Sequence, residues 1–132
     1  MLNDKKVLFV IAHPDDELIT FGPALMEAIG TAKSVTVVCL TNPSIYRAKK
    51  FYDCSRSLGF KPLILGAVDD PEKFITDLHF AEGLHEILMS ETPDVIFTHD
   101  PVSGDMGCHK HHISCGILVS MLVDNLDRKS VV

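Results

Sequence analysis

Four short apolar segments, rich in β-branched residues, recur along the chain. They cover residues 7–11, 35–40, 63–65 and 95–98. The last three each follow a turn signal that contains lysine, proline, serine or aspartate. Within each segment the apolar residues run continuously and do not alternate with polar ones, which is typical of strands buried on both faces of a parallel sheet. We therefore predict four parallel strands.

The stretches between these strands have helical spacing. A proline in the first turn predicts a helix over residues 23–29, and a terminal glycine predicts one over residues 46–58. An apolar stripe predicts a third helix over residues 72–89, and a fourth is predicted over residues 109–126. We therefore expect an α/β fold, a Rossmann-like open parallel sheet of at least four strands with flanking helices in a single domain. In such sheets ligands bind beyond the carboxyl ends of the strands, where the strand order reverses.

Composition narrows the class of protein. With 132 residues the chain can bury the core of one domain, and its apolar runs are too short to span a bilayer. No secretory signal is recognisable, so we expect a cytoplasmic protein without a membrane span. A net charge of −6, with one modest basic cluster at residues 47–50, argues against nucleic-acid binding and favours small-molecule partners. A homo-oligomer is compatible with the sequence. The four cysteines form no C-x-x-C pair, so we expect no disulfide framework.

Side chains that bind metals follow the first and fourth predicted strands. His13 and Asp16 lie three residues apart, a spacing that lets an imidazole and a carboxylate converge on one ion. His109 and His112 share a face at the start of the last predicted helix. Because both segments belong to the same edge of the sheet, one of these two histidines would complete a set of three ligands. A fourth position would stay open for water, as in catalytic zinc sites.

Simpler structural roles exist for the same residue types. Asp15 and Asp16 would suit the N-terminus of the first helix, where carboxylates accept hydrogen bonds from free N–H groups. The histidines of the last helix could form an exposed polar helix start, and His79 and His85 are expected to be structural or solvated. Three histidines lie within residues 109–112, opposite the pair of His13 and Asp16. This combination favours metal binding over the simpler roles.

The segment Ala12-His13-Pro14-Asp15-Asp16-Glu17 resembles the signature of the LmbE-like, or PIG-L, family of Zn-dependent N-deacetylases. His109-x-x-His112 stands where that family carries its second histidine motif. The resemblance extends along nearly the whole chain and includes Thr41-Asn42, Leu58-Gly59 and Thr98-His99. It implies one LmbE-like deacetylase domain over residues 1–132, in a minimal or C-terminally shortened form.

The resemblance implies a role for each residue of the two motifs. His13, Asp16 and His112 would bind Zn²⁺, with Fe²⁺ or another divalent metal as alternatives. Asp15 would be the general base, and His109 would stabilise the oxyanion or protonate the leaving amine. The implied enzyme removes an acetyl group by means of metal-activated water, which is an amide hydrolysis.

The resemblance also implies a substrate, an N-acetylated sugar of the N-acetylglucosaminyl type, which Arg47 and Asp69 would contact. Two other functions stay open. A non-catalytic relative that binds metal or sugar would not require Asp15, so that residue favours chemistry. A receiver-like signalling domain has a similar length and an acidic pair after its first strand, but it would leave His13 unexplained, and no lysine follows the fifth-strand position where that domain needs one.

Overall fold

The structure, a computed structural model, describes residues 2–14, 21–41, 44–67, 78–102, 110–124 and 130–131. Strands and helices alternate through these ranges, which confirms the predicted α/β architecture. The strands are β1 (Lys6–Ile11), β2 (Ser34–Thr41), β3 (Lys61–Ala67), β4 (Val95–Phe97) and β5 (Ser130–Val131). The helices are α1 (Gly22–Thr31), α2 (Ile45–Leu58), α3 (Leu78–Glu91) and α4 (Lys110–Asp124). None of the described helices combines the length and the apolar character needed to cross a membrane.

The strands form one parallel sheet in the order β3-β2-β1-β4-β5. The chain moves outward from β1 to β3 and then returns to β4 on the other side of β1, so the strand order reverses between β1 and β4. This order matches the Rossmann type, whereas a receiver-like domain would have the order 2-1-3-4-5. The topology therefore contradicts the receiver alternative and brings the carboxyl ends of β1 and β4 side by side.

The continuous apolar pattern of β1 results from burial on both faces of the sheet. Leu8 and Val10 belong to a core cluster that includes residues of α3 and α4, whereas Phe9 and Ile11 belong to a second cluster with residues of α1 and α2. All four side chains are at most 1% exposed. Because neighbouring residues of a strand point to opposite faces, both alternating sets must be apolar when helices cover both faces.

Helix α2 ends as its sequence predicts and is capped at both termini. The hydroxyl of Ser44 accepts a hydrogen bond from the backbone N–H of Arg47. Gly59 follows the last helical residue with a φ of 94°, a left-handed conformation that glycine adopts without steric cost. These two caps fix the ends of the helix that begins at the carboxyl edge of the sheet.

Most elements differ from the sequence predictions by a few residues at their ends, and one strand was not predicted. The third helix continues to Glu91, two residues beyond the predicted end, and stops before Pro93, because a proline disfavours helical geometry in the residue that precedes it. The predicted segment 72–77 lies outside the described residues, as do positions 109, 125 and 126 of the predicted fourth helix. Strand β5 was missed because a pair of residues is too short to form a hydrophobic pattern.

Helix α4 lies directly against the chain that follows β4. A Cβ atom on Gly116 would be 2.3 Å from the carbonyl oxygen of His99 and 2.8 Å from the nitrogen of Pro101. Both separations are far below van der Waals contact, so only glycine permits this approach. The backbone of α4 is therefore held close to the end of β4.

We expect Gly116→Ala to lower the free energy of unfolding by about 1–3 kcal/mol, the usual cost of overpacking, because the added methyl group meets backbone atoms. Gly30→Ala in α1 is the matched control, since its Cβ would meet nothing within 4 Å. The control should be neutral or stabilising by about 0.5–1 kcal/mol. Denaturant unfolding of the two variants measures the difference, and equal effects would contradict the close approach of α4.

Candidate metal centre

The described residues include His13, Arg47 and His112 of the predicted site. The other predicted site residues, Asp15, Asp16, Asp69 and His109, lie outside the described residues. Their roles stay predictions. The local geometry is therefore built from the two histidines, from the arginine and from the strand ends that position them.

Hydrogen bonds join the residue that follows β1 to the end of β2 and to the chain that follows β4. The backbone N–H of Ala12 donates to Nε2 of His99 at 3.2 Å. The carbonyl of Ala12 accepts from the hydroxyl of Thr41 at 2.8 Å and from the backbone N–H of Thr41 at 3.2 Å. Thr41 ends β2 and His99 follows β4, and all three residues are buried. These bonds fix the position at which the chain leaves the sheet and continues to His13.

The rings of three histidines lie in a row across this edge of the sheet, with the ring of His112 between the other two. The ring centre of His13 is 6.3 Å from that of His112, with the ring planes tilted by 44°. The ring of His112 lies almost parallel to that of His99, with centres 3.7 Å apart and planes inclined by 15°. His13 and His112 are half-buried, whereas His99 is completely buried. The fold therefore brings together two histidines from opposite ends of the chain.

His13 and His112 fit a shared divalent metal ion. Zinc binds histidine nitrogen at about 2.0–2.1 Å, so two imidazoles on one ion have centres within about 6 Å of each other. The separation of 6.3 Å is close to that limit, and a small rotation of the His13 side chain would close the difference. Among the described residues no group of three or more histidine, cysteine, aspartate or glutamate side chains forms a metal cluster. The described pair therefore offers two donors, and Asp16 as the third ligand stays a prediction.

Arg47 connects α2 to the turn that contains His13. Its guanidinium donates a hydrogen bond from Nη2 to the carbonyl oxygen of Pro14 at 3.1 Å. Arg47 lies in the first turn of α2, which begins just beyond the carboxyl end of β2. The helix cap at Ser44 thus helps to hold a positive charge beside the candidate centre.

The first two turns of α2 present further exposed side chains at the same edge. Ile45 and Tyr46 are 91% and 67% exposed. The ammonium group of Lys50 lies 4.8 Å from the centre of the Tyr46 ring, and a hydrogen bond with Tyr46 raises the pKa of Lys50. Lys50 is therefore charged at neutral pH. Together with Arg47 it makes a locally positive rim on a chain with a net charge of −6.

His99 is the residue that sequence reasoning missed. The family resemblance included Thr98-His99 but implied no individual role for His99. Its complete burial and its bond to Ala12 depend on β1 and β4 being neighbours in the sheet. The available signal was a histidine two residues after the end of an apolar strand, at the edge where ligands bind.

The chain matches the family model described as PIG-L, GlcNAc-PI de-N-acetylase, over residues 8–123. A curated relative, the probable N-acetylglucosaminyl-phosphatidylinositol de-N-acetylase of Dictyostelium discoideum, is 26% identical over 132 residues. That match covers 92% of this chain and 50% of the relative.

Several solved structures resemble the fold, including a deacetylase and a hydratase. The N,N'-diacetylchitobiose deacetylase of Pyrococcus horikoshii is 26% identical with a TM-score of 0.75, and the match covers 92% of this chain and 50% of that protein. The 4-carboxy-2-hydroxymuconate hydratase of Pseudomonas putida is 15% identical with a TM-score of 0.66, and the match covers 89% of this chain and 55% of the hydratase. The second likeness concerns the fold alone. The chain spans about half the length of the curated relative and of the Pyrococcus enzyme.

We expect His13→Ala and His112→Ala each to weaken Zn²⁺ binding by more than about a hundredfold, since losing a ligand exceeds the 10–100-fold effect of changes around a metal site. His85→Ala is the control, because His85 lines a shallow cavity between α3 and α4 together with Ala81, Glu82 and Leu122. Competition with a chromophoric chelator measures the affinities. Wild-type affinity in His112→Ala would contradict the shared site.

Proposed function

The chain belongs to the PIG-L (LmbE-like) family of GlcNAc-PI de-N-acetylases, and we propose from this that it is a metal-dependent N-deacetylase acting on an N-acetylglucosaminyl-type sugar. The observation that carries the proposal is the meeting of His13 and His112, 6.3 Å apart, where the strand order reverses. The names of the Dictyostelium and Pyrococcus relatives support an acetylated amino sugar as the substrate class.

We propose His13, Asp16 and His112 as the ligands, with Zn²⁺ as the metal and Fe²⁺ or another divalent ion as an alternative. A bound ion of this type would lower the pKa of a water molecule and polarise the amide carbonyl. Asp15 then accepts the proton of the attacking water, since a carboxylate that is not a ligand is free to act as a base. His109 would stabilise the oxyanion or protonate the amine nitrogen as the C–N bond breaks and acetate is released.

Arg47 and Asp69 are the proposed substrate-binding residues. Arg47 is an exposed cation beside the turn that contains His13. Guanidinium and carboxylate groups make charge-assisted hydrogen bonds, which are the stronger kind and suit the hydroxyl groups of a sugar. The positive rim of Arg47 and Lys50 makes the side of the site next to α2 positively charged.

Several further properties stay predictions from the sequence. They are one LmbE-like domain over residues 1–132, a cytoplasmic location, the absence of a nucleic-acid partner and the compatibility with a homo-oligomer.

We expect Asp15→Asn to keep bound metal and to lose turnover by about 10²–10⁴-fold, the usual contribution of a general base, because asparagine has a similar shape but cannot accept the proton. Amine release from N-acetylglucosamine derivatives, together with metal analysis, measures both properties. Asp53→Asn is the matched control, since Asp53 is an aspartate on α2 that pairs with Lys49 and Arg56.

The same assay separates the two candidate functions. Bound metal without turnover in the wild-type chain would contradict the deacetylase and favour a non-catalytic relative that binds metal or sugar. Full turnover in Asp15→Asn would leave the deacetylase in place and remove Asp15 as its base.

Arg47→Met should raise KM by about tenfold or more and change kcat less, because a hydrogen bond to a charged group is worth about 1.5–3 kcal/mol. Lys49→Met is the control on the same helix, since Lys49 pairs with Asp53. Steady-state kinetics of both variants measure the split between KM and kcat. An unchanged KM in Arg47→Met would argue that the arginine serves only to hold the turn at Pro14.

A further inference from the structure

His99 contacts both chain segments that supply the described histidines of the candidate metal centre. Its Nε2 accepts a hydrogen bond from the backbone N–H of Ala12, the residue that precedes His13. Its ring also stacks on the ring of His112, with centres 3.7 Å apart. One buried side chain therefore touches the backbone beside one proposed ligand and the imidazole of the other.

The hydrogen bond defines the state of the His99 ring. A backbone N–H can only donate, so Nε2 must carry a lone pair. A neutral imidazole with an unprotonated Nε2 carries its proton on Nδ1. The contact with Ala12 at 3.2 Å thus requires one particular tautomer and one orientation of the ring.

The position of His99 is itself fixed by the surrounding core. The ring centre of Phe21 lies 5.4 Å from that of His99. The preceding residue, Thr98, donates a hydrogen bond from its hydroxyl to the carbonyl of Val10 at 3.1 Å. Since His99 is completely buried between these contacts, it offers a fixed surface to the half-buried ring of His112.

The close approach of α4 completes the arrangement. Gly116 lies one helical turn after His112, so both residues face the same side of α4. The backbone of Gly116 lies against the carbonyl of His99, while the ring of His112 lies against the ring of His99. A side chain at position 116 would push α4 outward and separate the stacked rings.

From these contacts we propose that His99 is a positioning residue of the metal centre. It holds His13, through Ala12, and His112, through the stacked ring, in the relative position that binding of one ion requires. The inference rests on the proposed function, because it takes both histidines as ligands. Ligands that are ordered in advance bind more tightly, since less conformational freedom is lost on binding. A histidine that only filled the core would affect stability without acting selectively on the metal.

The first test uses the wild-type chain. Long-range ¹H–¹⁵N NMR spectra of the histidine side chains, recorded without metal and with Zn²⁺, should show His99 protonated on Nδ1 in both states. Contacts between the rings of His99 and His112 should also be the same in both states. A proton on Nε2, or a His112 ring that turns away from His99 when zinc is added, would overturn the inference.

The second test separates the two contacts of His99. His99→Phe keeps a ring for stacking but has no acceptor for Ala12, whereas His99→Gln keeps an acceptor and loses the ring. We expect each variant to bind Zn²⁺ about 10–100-fold more weakly and to show an altered Co²⁺ absorption spectrum. The control is Leu88→Ala, a core residue of α3 that is 1% exposed. This control should lower the melting temperature of the metal-free chain and leave the affinity and the Co²⁺ spectrum unchanged.

Folded His99 variants with wild-type affinity and a wild-type Co²⁺ spectrum would overturn the inference, as would an equal loss of affinity in Leu88→Ala. If neither His99 variant folds, the NMR result on the wild-type chain decides. A wild-type chain that binds no Zn²⁺ would overturn the proposed function together with this role of His99. Normal Zn²⁺ binding by wild type and by both His99 variants would overturn the role of His99 alone.

Discussion

The hydrogen bonds to Ala12 join the three central strands at the edge where the candidate metal centre lies. Its N–H donates to His99 beyond β4, and its carbonyl accepts from Thr41 at the end of β2. Without these partners a buried peptide group at the end of β1 would lose its hydrogen bonds, at a cost of about 1–3 kcal/mol for each unsatisfied group. The same hydrogen bonds that join these strands therefore fix the backbone position from which His13 extends.

The contact between α4 and the residues that follow β4 positions His112, the second described histidine of the candidate centre. Gly116 lets the helix backbone reach the carbonyl of His99, and the resulting position of the first helical turn lays His112 on the His99 ring. Since protein interiors are closely packed, a displacement of α4 would be transmitted directly to His112. Core packing and the geometry of the candidate centre thus depend on the same few contacts.

The fold alone does not determine the reaction. A hydratase shares this architecture at 15% identity, so the deacetylase proposal depends on the residues at the sheet edge and on the family match. The side of the site near α2 carries exposed positive groups, whereas the side near α4 is built from buried histidine and glycine contacts. The proposed substrate-binding arginine and the proposed ligand His112 therefore lie on different helices, α2 and α4.

The sequence by itself determined the local elements. Continuous apolar runs predicted strands buried on both faces, Gly59 predicted the end of α2, and the histidine and aspartate motifs predicted the candidate ligands. Tertiary structure decided which of these elements meet, because the pairing of β4 with β1 leaves no mark in local periodicity. The stacking of His112 on His99 and the need for glycine at position 116 likewise join residues that are distant along the chain or lie on different elements. Such contacts exist only once the strand order is set, which is why the role of His99 could not be predicted from its neighbours in sequence.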